Sequence, residues 1–317
     1  MGKRMIRVLV LTLLTALSVV VFFRLRTRPD TPPPPSVQKI FQDRQAQARA
    51  ILLTPLANLV QTRDWPALKA RSGEPGFGQS LAEVVRAMHV ELKFQEWTPQ
   101  DHAQLTEMLL VGLSGASEPE LLSIIPQIER LPSPVSDSPA ALRLRRFLDP
   151  GQPEVLRVFA FKKLVIHESK PEASDIDRGI RALLPAPKTK GGINPFLLVD
   201  ETRNDQVKKT LLSKLAASWA KIDRSRAPTT LYLLCRNIQS IPQFYSKGWS
   251  LTLQSLQSKD SLSIEYGLRS LVYLHQFKKL PPAEVERVVS ILTSIPTPRR
   301  SPFIQEKSNE IIEMLQR

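Results

Sequence analysis

The sequence predicts an all-α protein, on three observations. From Ser36 onward, apolar residues recur at the 3.6-residue spacing of a helix almost everywhere, and strand-like alternation is nearly absent. Proline is abundant, 27 residues against 12 glycines, and many prolines stand where a helix would open. With 317 residues, 42% of them hydrophobic, the chain can bury a large core.

The first element is apolar. Val8 to Phe23 is an uncharged run of 16 residues whose only polar members are Thr12, Thr15 and Ser18. Lys3, Arg4 and Arg7 precede it; Arg24, Arg26 and Arg28 follow it. As a helix it would be about 24 Å long against a hydrocarbon core of ~30 Å, and the flanking arginines can snorkel across the difference. A cleaved signal peptide needs a small-residue site after its apolar stretch, but here Phe22-Phe23 runs straight into Arg24-Leu25-Arg26. The sole cysteine, Cys235, excludes a lipobox. Residues 1–28 therefore read as an uncleaved membrane anchor with basic flanks. Three basic residues on each side leave the positive-inside count tied, and the α-amino group tips the N-terminus toward the cytoplasm. The body is then expected in the periplasm of a bacterium. The absence of any N-x-S/T sequon fits that placement.

Residues 29–36 form a linker in which Pro32 to Pro35 enforce polyproline II. A stiff spacer is its simplest role, and recognition by an SH3-type partner is the alternative.

The body follows as helix after helix. Leu81, Val84, Val85, Met88 and Leu92 share one face, as do Leu105, Met108, Leu109 and Gly112. Leu121, Ile124, Ile125 and Ile128 repeat the spacing, with Pro126 inside the stripe predicting a kink or a break. Further stripes are Ile176, Ile180, Leu183 and Leu184, then Leu211, Leu215 and Ile222. Leu231, Leu234, Cys235 and Ile238 come next, followed by Val285, Val288, Val289, Leu292 and Ile295, and last by Ile304, Ile311 and Leu315. Start signals agree. Thr98-Pro99-Gln100-Asp101 and Ser117-Glu118-Pro119-Glu120 have the form of capped N-termini, and Ser138-Pro139 opens another helix. Helix pairs then begin near residues 79, 117 and 152, so the intervals are 38 and 35. In this spacing, residues 79–184 resemble HEAT or armadillo-type repeats, and residues 200–317 resemble them more loosely. The resemblance implies an α-solenoid whose surface binds other macromolecules. An irregular helical bundle is the alternative. A break at residues 186–195, around Lys188-Thr189-Lys190-Gly191-Gly192, divides the body into helical regions 37–185 and 196–317.

Candidate chemistry is sparse. His275 falls on an apolar face and reads as a core residue; His89 and Glu91 point to different helix faces. No H-E-x-x-H, G-x-S-x-G or P-loop occurs, and Gly73 to Gly78 reads as a flexible loop. Cys235 reads as a buried thiol, and the four tryptophans read as scattered core residues. No metal, cofactor or catalytic residue is nominated, so the expectation is a non-enzyme.

Charge is more informative. The net charge is +14. Residues 81–130 carry eight acidic and three basic side chains, whereas residues 139–236 carry nineteen basic and ten acidic ones. The candidate partner-binding residues are Arg143, Arg145, Arg146, Lys162, Lys163, Lys208, Lys209, Lys214, Lys221, Arg224 and Arg226. The expected function is a membrane-anchored helical scaffold binding an acidic protein surface. One alternative is a cytoplasm-facing body that contacts nucleic acid or anionic lipid through the same stretch. Another is an envelope enzyme whose carboxylates the sequence does not identify.

Overall fold

The computed structural model describes residues 37–135, 137–168, 170–184, 194–295 and 301–316. The expected anchor, 1–28, and the linker, 29–36, lie outside them. Among the described residues there is no strand, and no helix is long and apolar enough to cross a membrane.

The described helices are α1 (Val37–Leu52), α2 (Pro55–Gln61), α3 (Trp65–Arg71), α4 (Phe77–Val90), α5 (Pro99–Gly112), α6 (Glu118–Arg130), α7 (Pro139–Phe147) and α8 (Glu154–Phe161). After them come α9 (Ala173–Leu183), α10 (Asp205–Ala217), α11 (Ala227–Arg236), α12 (Tyr245–Leu256), α13 (Ser261–Phe277), α14 (Pro282–Ser294) and α15 (Pro302–Gln316). Each packs chiefly on the next helix and the next but one. Thus α4, α6 and α8 form one row with α5 and α7 beside it, and α11, α13 and α15 form another with α12 and α14 beside it. That two-row stacking is the geometry of a helical repeat body. The pairs begin at Phe77, Glu118 and Glu154, close to the starts the sequence suggests.

Local chemistry explains the boundaries. Thr98 Oγ1 accepts from the Asp101 amide at 3.1 Å, and Asp101 Oδ2 accepts from the Thr98 amide at 2.9 Å. Glu120 Oε2 accepts from the Ser117 amide at 2.7 Å, and Ser138 Oγ accepts from the Ala141 amide at 3.2 Å. Each such cap stabilises its helix by about 1 kcal/mol. Pro126 does not end α6, which continues to Arg130. Buried Leu121, Ile124 and Ile128 lie on both sides of it, and their burial outweighs the hydrogen bond a proline forfeits.

Two sequence expectations shift by a turn. Phe77 and Gly78 belong to the buried start of α4 and not to a loop. Leu92 leaves its stripe: α4 stops at Val90, and Leu92 is exposed with φ 54°.

One apolar core runs from Leu56 to Phe244 and takes in Leu274. A second, from Leu253 to Leu315, is built by α12 to α15. The larger core draws on both sides of the break at 186–195, of which residues 186–193 lie outside the described ones. Cys235 is fully buried, and burial pushes its thiol up to about 12.

Candidate docking surfaces

The basic residues singled out from sequence fall into two groups. Most are paired within the protein. Arg145 on α7 binds Asp175 at 2.9 Å and Glu172 at 2.7 Å, which raises its pKa, the Asp175 hydrogen bond contributing most. After α8 the chain makes a π-helical turn, Lys162–Ile166. On it Lys162 lies 3.4 Å from Glu129 and 3.5 Å from Glu201, while Lys163 turns inward. Buried Lys163 donates to the Leu131 carbonyl at 2.6 Å and the Glu129 carbonyl at 3.3 Å, closing the C-terminus of α6. Burial lowers its pKa to about 8. Lys208 pairs with Asp200 at 3.1 Å, and Lys214 pairs with Asp177. Arg226 is buried, donating to Glu154 and to the Leu183 carbonyl. Arg157 does the same for the Ala182 carbonyl, so two buried guanidiniums satisfy the end of α9. Arg143 is half-buried.

The second group is free. Arg146, Lys209, Lys221 and Arg224 are exposed and have no acidic partner among the described residues. One of them meets a concavity. Arg224 lines a cleft of about 520 Å³ between the 3₁₀ turn Trp219–Lys221 and helices α12 and α13. Its apolar walls are Trp219, Ile222, Pro228 and Leu251; Ser255, Ser258 and Ser263 supply hydroxyls. Trp219 is held from behind by Phe244, with ring centroids 6.5 Å apart.

Two other clefts lie elsewhere in the body. One of about 770 Å³ is lined by His167, Glu201 and Arg203, with His167 Nε2 3.9 Å from Glu201. Another of about 630 Å³ is lined by His275, Leu280, Val285 and Met314. His275 is thus half-buried at a cleft wall and not in the core, and its burial lowers its pKa.

Sequence spacing missed two side-chain assemblies. Trp65, His89, Phe94, Trp97 and His102 pack together, with Phe94 4.8 Å from Trp97 and 4.6 Å from His89. Rings at those distances leave no room for a ligand between them. The other is a half-exposed row of Tyr232 and Arg236 on α11, Tyr266, Arg269 and Tyr273 on α13, and Phe303 on α15. The i, i+4 and i, i+3, i+7 spacings that build it are visible in sequence. Their exposure is not. Among the described residues, no group of three His, Cys, Asp or Glu side chains could hold a metal ion.

No protein-family model, curated protein or solved structure matches the chain.

Proposed function

We propose that this protein is a membrane-anchored helical scaffold that docks an acidic protein surface, with its body in the periplasm and no chemistry of its own. The observation that carries this reading is the coincidence at the α12–α13 cleft of an apolar wall with unpaired cations, Arg224 on its rim and Lys221 beside it. Buried Lys163 and Arg226 cannot exchange partners without leaving buried carbonyls unsatisfied, and the other paired cations already have a carboxylate. Unpaired ones on a concave, tryptophan-walled surface give up only solvent. An acidic segment laid in the cleft would bury an apolar side chain against Trp219 while its carboxylates approach Lys221 and Arg224.

The test begins with crosslinking in native membranes to identify the partner. Its binding to the full chain is then measured by calorimetry against Lys221→Glu/Arg224→Glu. The double variant should bind at least tenfold more weakly, and wild-type affinity should fall as salt rises. Affinity unchanged by both manipulations refutes the cleft as the docking site. A C-terminal topology reporter active on the cytoplasmic side refutes the periplasmic placement.

A further inference from the structure

The tyrosine–arginine row shares no residue with the cleft. The Tyr232 ring lies 5.7 Å from Tyr266 and 5.9 Å from Tyr273. Arg236 covers Tyr232 at 5.7 Å, and Arg269 stacks on both Tyr266, at 5.7 Å, and Phe303, at 5.0 Å. The row is held in place from its edges: Arg236 binds Asp200 at 2.6 Å, and Arg269 binds Glu265 at 2.7 Å. All six side chains remain partly open to solvent, Phe303 to 37%. A fixed row of aromatic faces with phenol and guanidinium donors suits a polyproline II strand. Pyrrolidine rings pack on the aromatic faces, exposed carbonyls accept hydrogen bonds, and a stiff ligand loses little entropy on binding.

The sequence carries a segment of the composition such a strand needs. Pro29-Asp30-Thr31-Pro32-Pro33-Pro34-Pro35 would extend about 22 Å at ~3.1 Å per residue. Only Ser36 separates it from α1, a reach of about 7 Å. Helix α1 packs on α2 and α4 at one end of the stack, whereas the row is built by α11, α13 and α15 at the other. The strand therefore reaches the row of another molecule and not its own. Charge selects the same place. A segment preceded by Arg24, Arg26 and Arg28 is repelled by the unpaired cations Lys209, Lys221 and Arg224. In the row the charge is largely offset: Arg269 faces Glu265, and Arg236 shares Asp200 with Lys208, which leaves one excess cation against the unopposed Lys209, Lys221 and Arg224. We propose that the tyrosine–arginine row binds the Pro29–Pro35 segment of a second copy of this chain. Such a contact is heterologous and links copies head to tail.

The experiment uses the full chain in detergent and a fluorescein-labelled peptide of residues 24–36. Anisotropy should rise saturably, and the same peptide with its prolines changed to alanine should not bind. Phe303→Ser, at the exposed rim, and Tyr273→Ala should each weaken binding at least fivefold with the circular dichroism of the wild type. Replacing Pro33 and Pro34 by alanine in the full chain should abolish concentration-dependent association in sedimentation velocity. Should Tyr273→Ala misfold, Phe303→Ser alone decides. No binding at about 1 mM peptide, or binding indifferent to Phe303→Ser, overturns the proposal. Either result leaves the cleft and its acidic partner untouched.

Discussion

Gly78 of α4 and Gly112 of α5 meet backbone to backbone. A Cβ placed on Gly78 would lie 2.8 Å from the Gly112 Cα, and one on Gly112 would lie 2.6 Å from the Gly78 Cα. The Gly78 position would also press Ile124 of α6 at 3.0 Å. Three helices of the first repeat units are therefore registered by the absence of two methyl groups. In a free helix, Gly→Ala gains about 1 kcal/mol. At this crossing the sign should reverse, because overpacking costs about 1–3 kcal/mol. Gly112→Ala is expected to lower the urea midpoint, while Gly73→Ala, with nothing within 4 Å of its added carbon, should not. Equal midpoints for the two would mean that the helices slide apart at no cost.

The buried guanidinium of Arg226 joins three segments that are distant in sequence: Glu154 at the start of α8, the Leu183 carbonyl at the end of α9, and its own position before α11. Removing one partner of a buried pair leaves the other charge stranded, at about 3–5 kcal/mol. Arg226→Met should destabilise by that order in chemical denaturation. Glu154→Met/Arg226→Met, which strands no charge, should cost less than Arg226→Met alone. A double variant that is worse than the single would show that packing, and not the ion pair, dominates the site.

What could be read before the structure was local in origin. Capping at Thr98, Ser117 and Ser138 depends on residues three apart, so the sequence displays it directly. The stripes through Leu81, Leu105, Leu121 and Ile304 depend only on helical period, and they are buried as expected. What could not be read is long-range. Arg145 reaches Asp175, and Arg226 reaches Glu154, across whole helices, so the basic stretch looked freer than it is. Trp65 and Trp97 meet, ring centroids 5.8 Å apart, only because the loop after α4 folds back on α3. Leu92 obeys helical spacing but lies beyond the end of the helix, and spacing alone does not place an end.

The aromatic cluster makes stability sensitive to mild acid. Burial holds the His89 and His102 pKa values below their ordinary 6.5; the charges of Arg130 and His102 lower that of His89 further, and Asp101 opposes the shift at His102. His89 Nε2 and His102 Nδ1 are buried without a hydrogen-bond partner, so the folded state has no acceptor ready for an added proton there. A base whose pKa is depressed by folding is protonated first in the unfolded chain. Stability is therefore fully present above about 6.5 and declines as pH falls toward the folded-state values. His167 and His275 shift in the same direction and add to the slope. Denaturation between pH 7.5 and 5 should show this decline. His89→Phe keeps a ring against Phe94 and removes one titration, so its slope should be shallower. An unchanged slope would assign the effect elsewhere.

Leu92 and Arg63 are the non-glycine residues with positive φ among the described residues, at 54° and 59°. Both stand just past a helix end. The Lys93 amide donates to the Met88 carbonyl at 2.9 Å, and the Asp64 amide to the Leu59 carbonyl at 2.9 Å, the six-to-one bond that closes a left-handed cap. Glycine is favoured there because a side chain strains the backbone by about 1–2 kcal/mol. Their side chains differ. Leu92 is 67% exposed, whereas Arg63 donates to the Glu96 carbonyl at 3.1 Å, lies 3.4 Å from Asp101 and covers Trp97. The same substitution should therefore act in opposite directions. Leu92→Gly should stabilise by about 0.5–1 kcal/mol once the entropy of an added glycine is set against the relieved strain. Leu92→Ala retains the strain and should bring no gain. Arg63→Gly relieves the same strain but loses the contacts that hold the loop to Trp97, and should come out neutral or destabilising. Calorimetric melting of the three variants decides it: a gain from Leu92→Ala equal to that from Leu92→Gly would place the cost in the exposed side chain and not in the backbone.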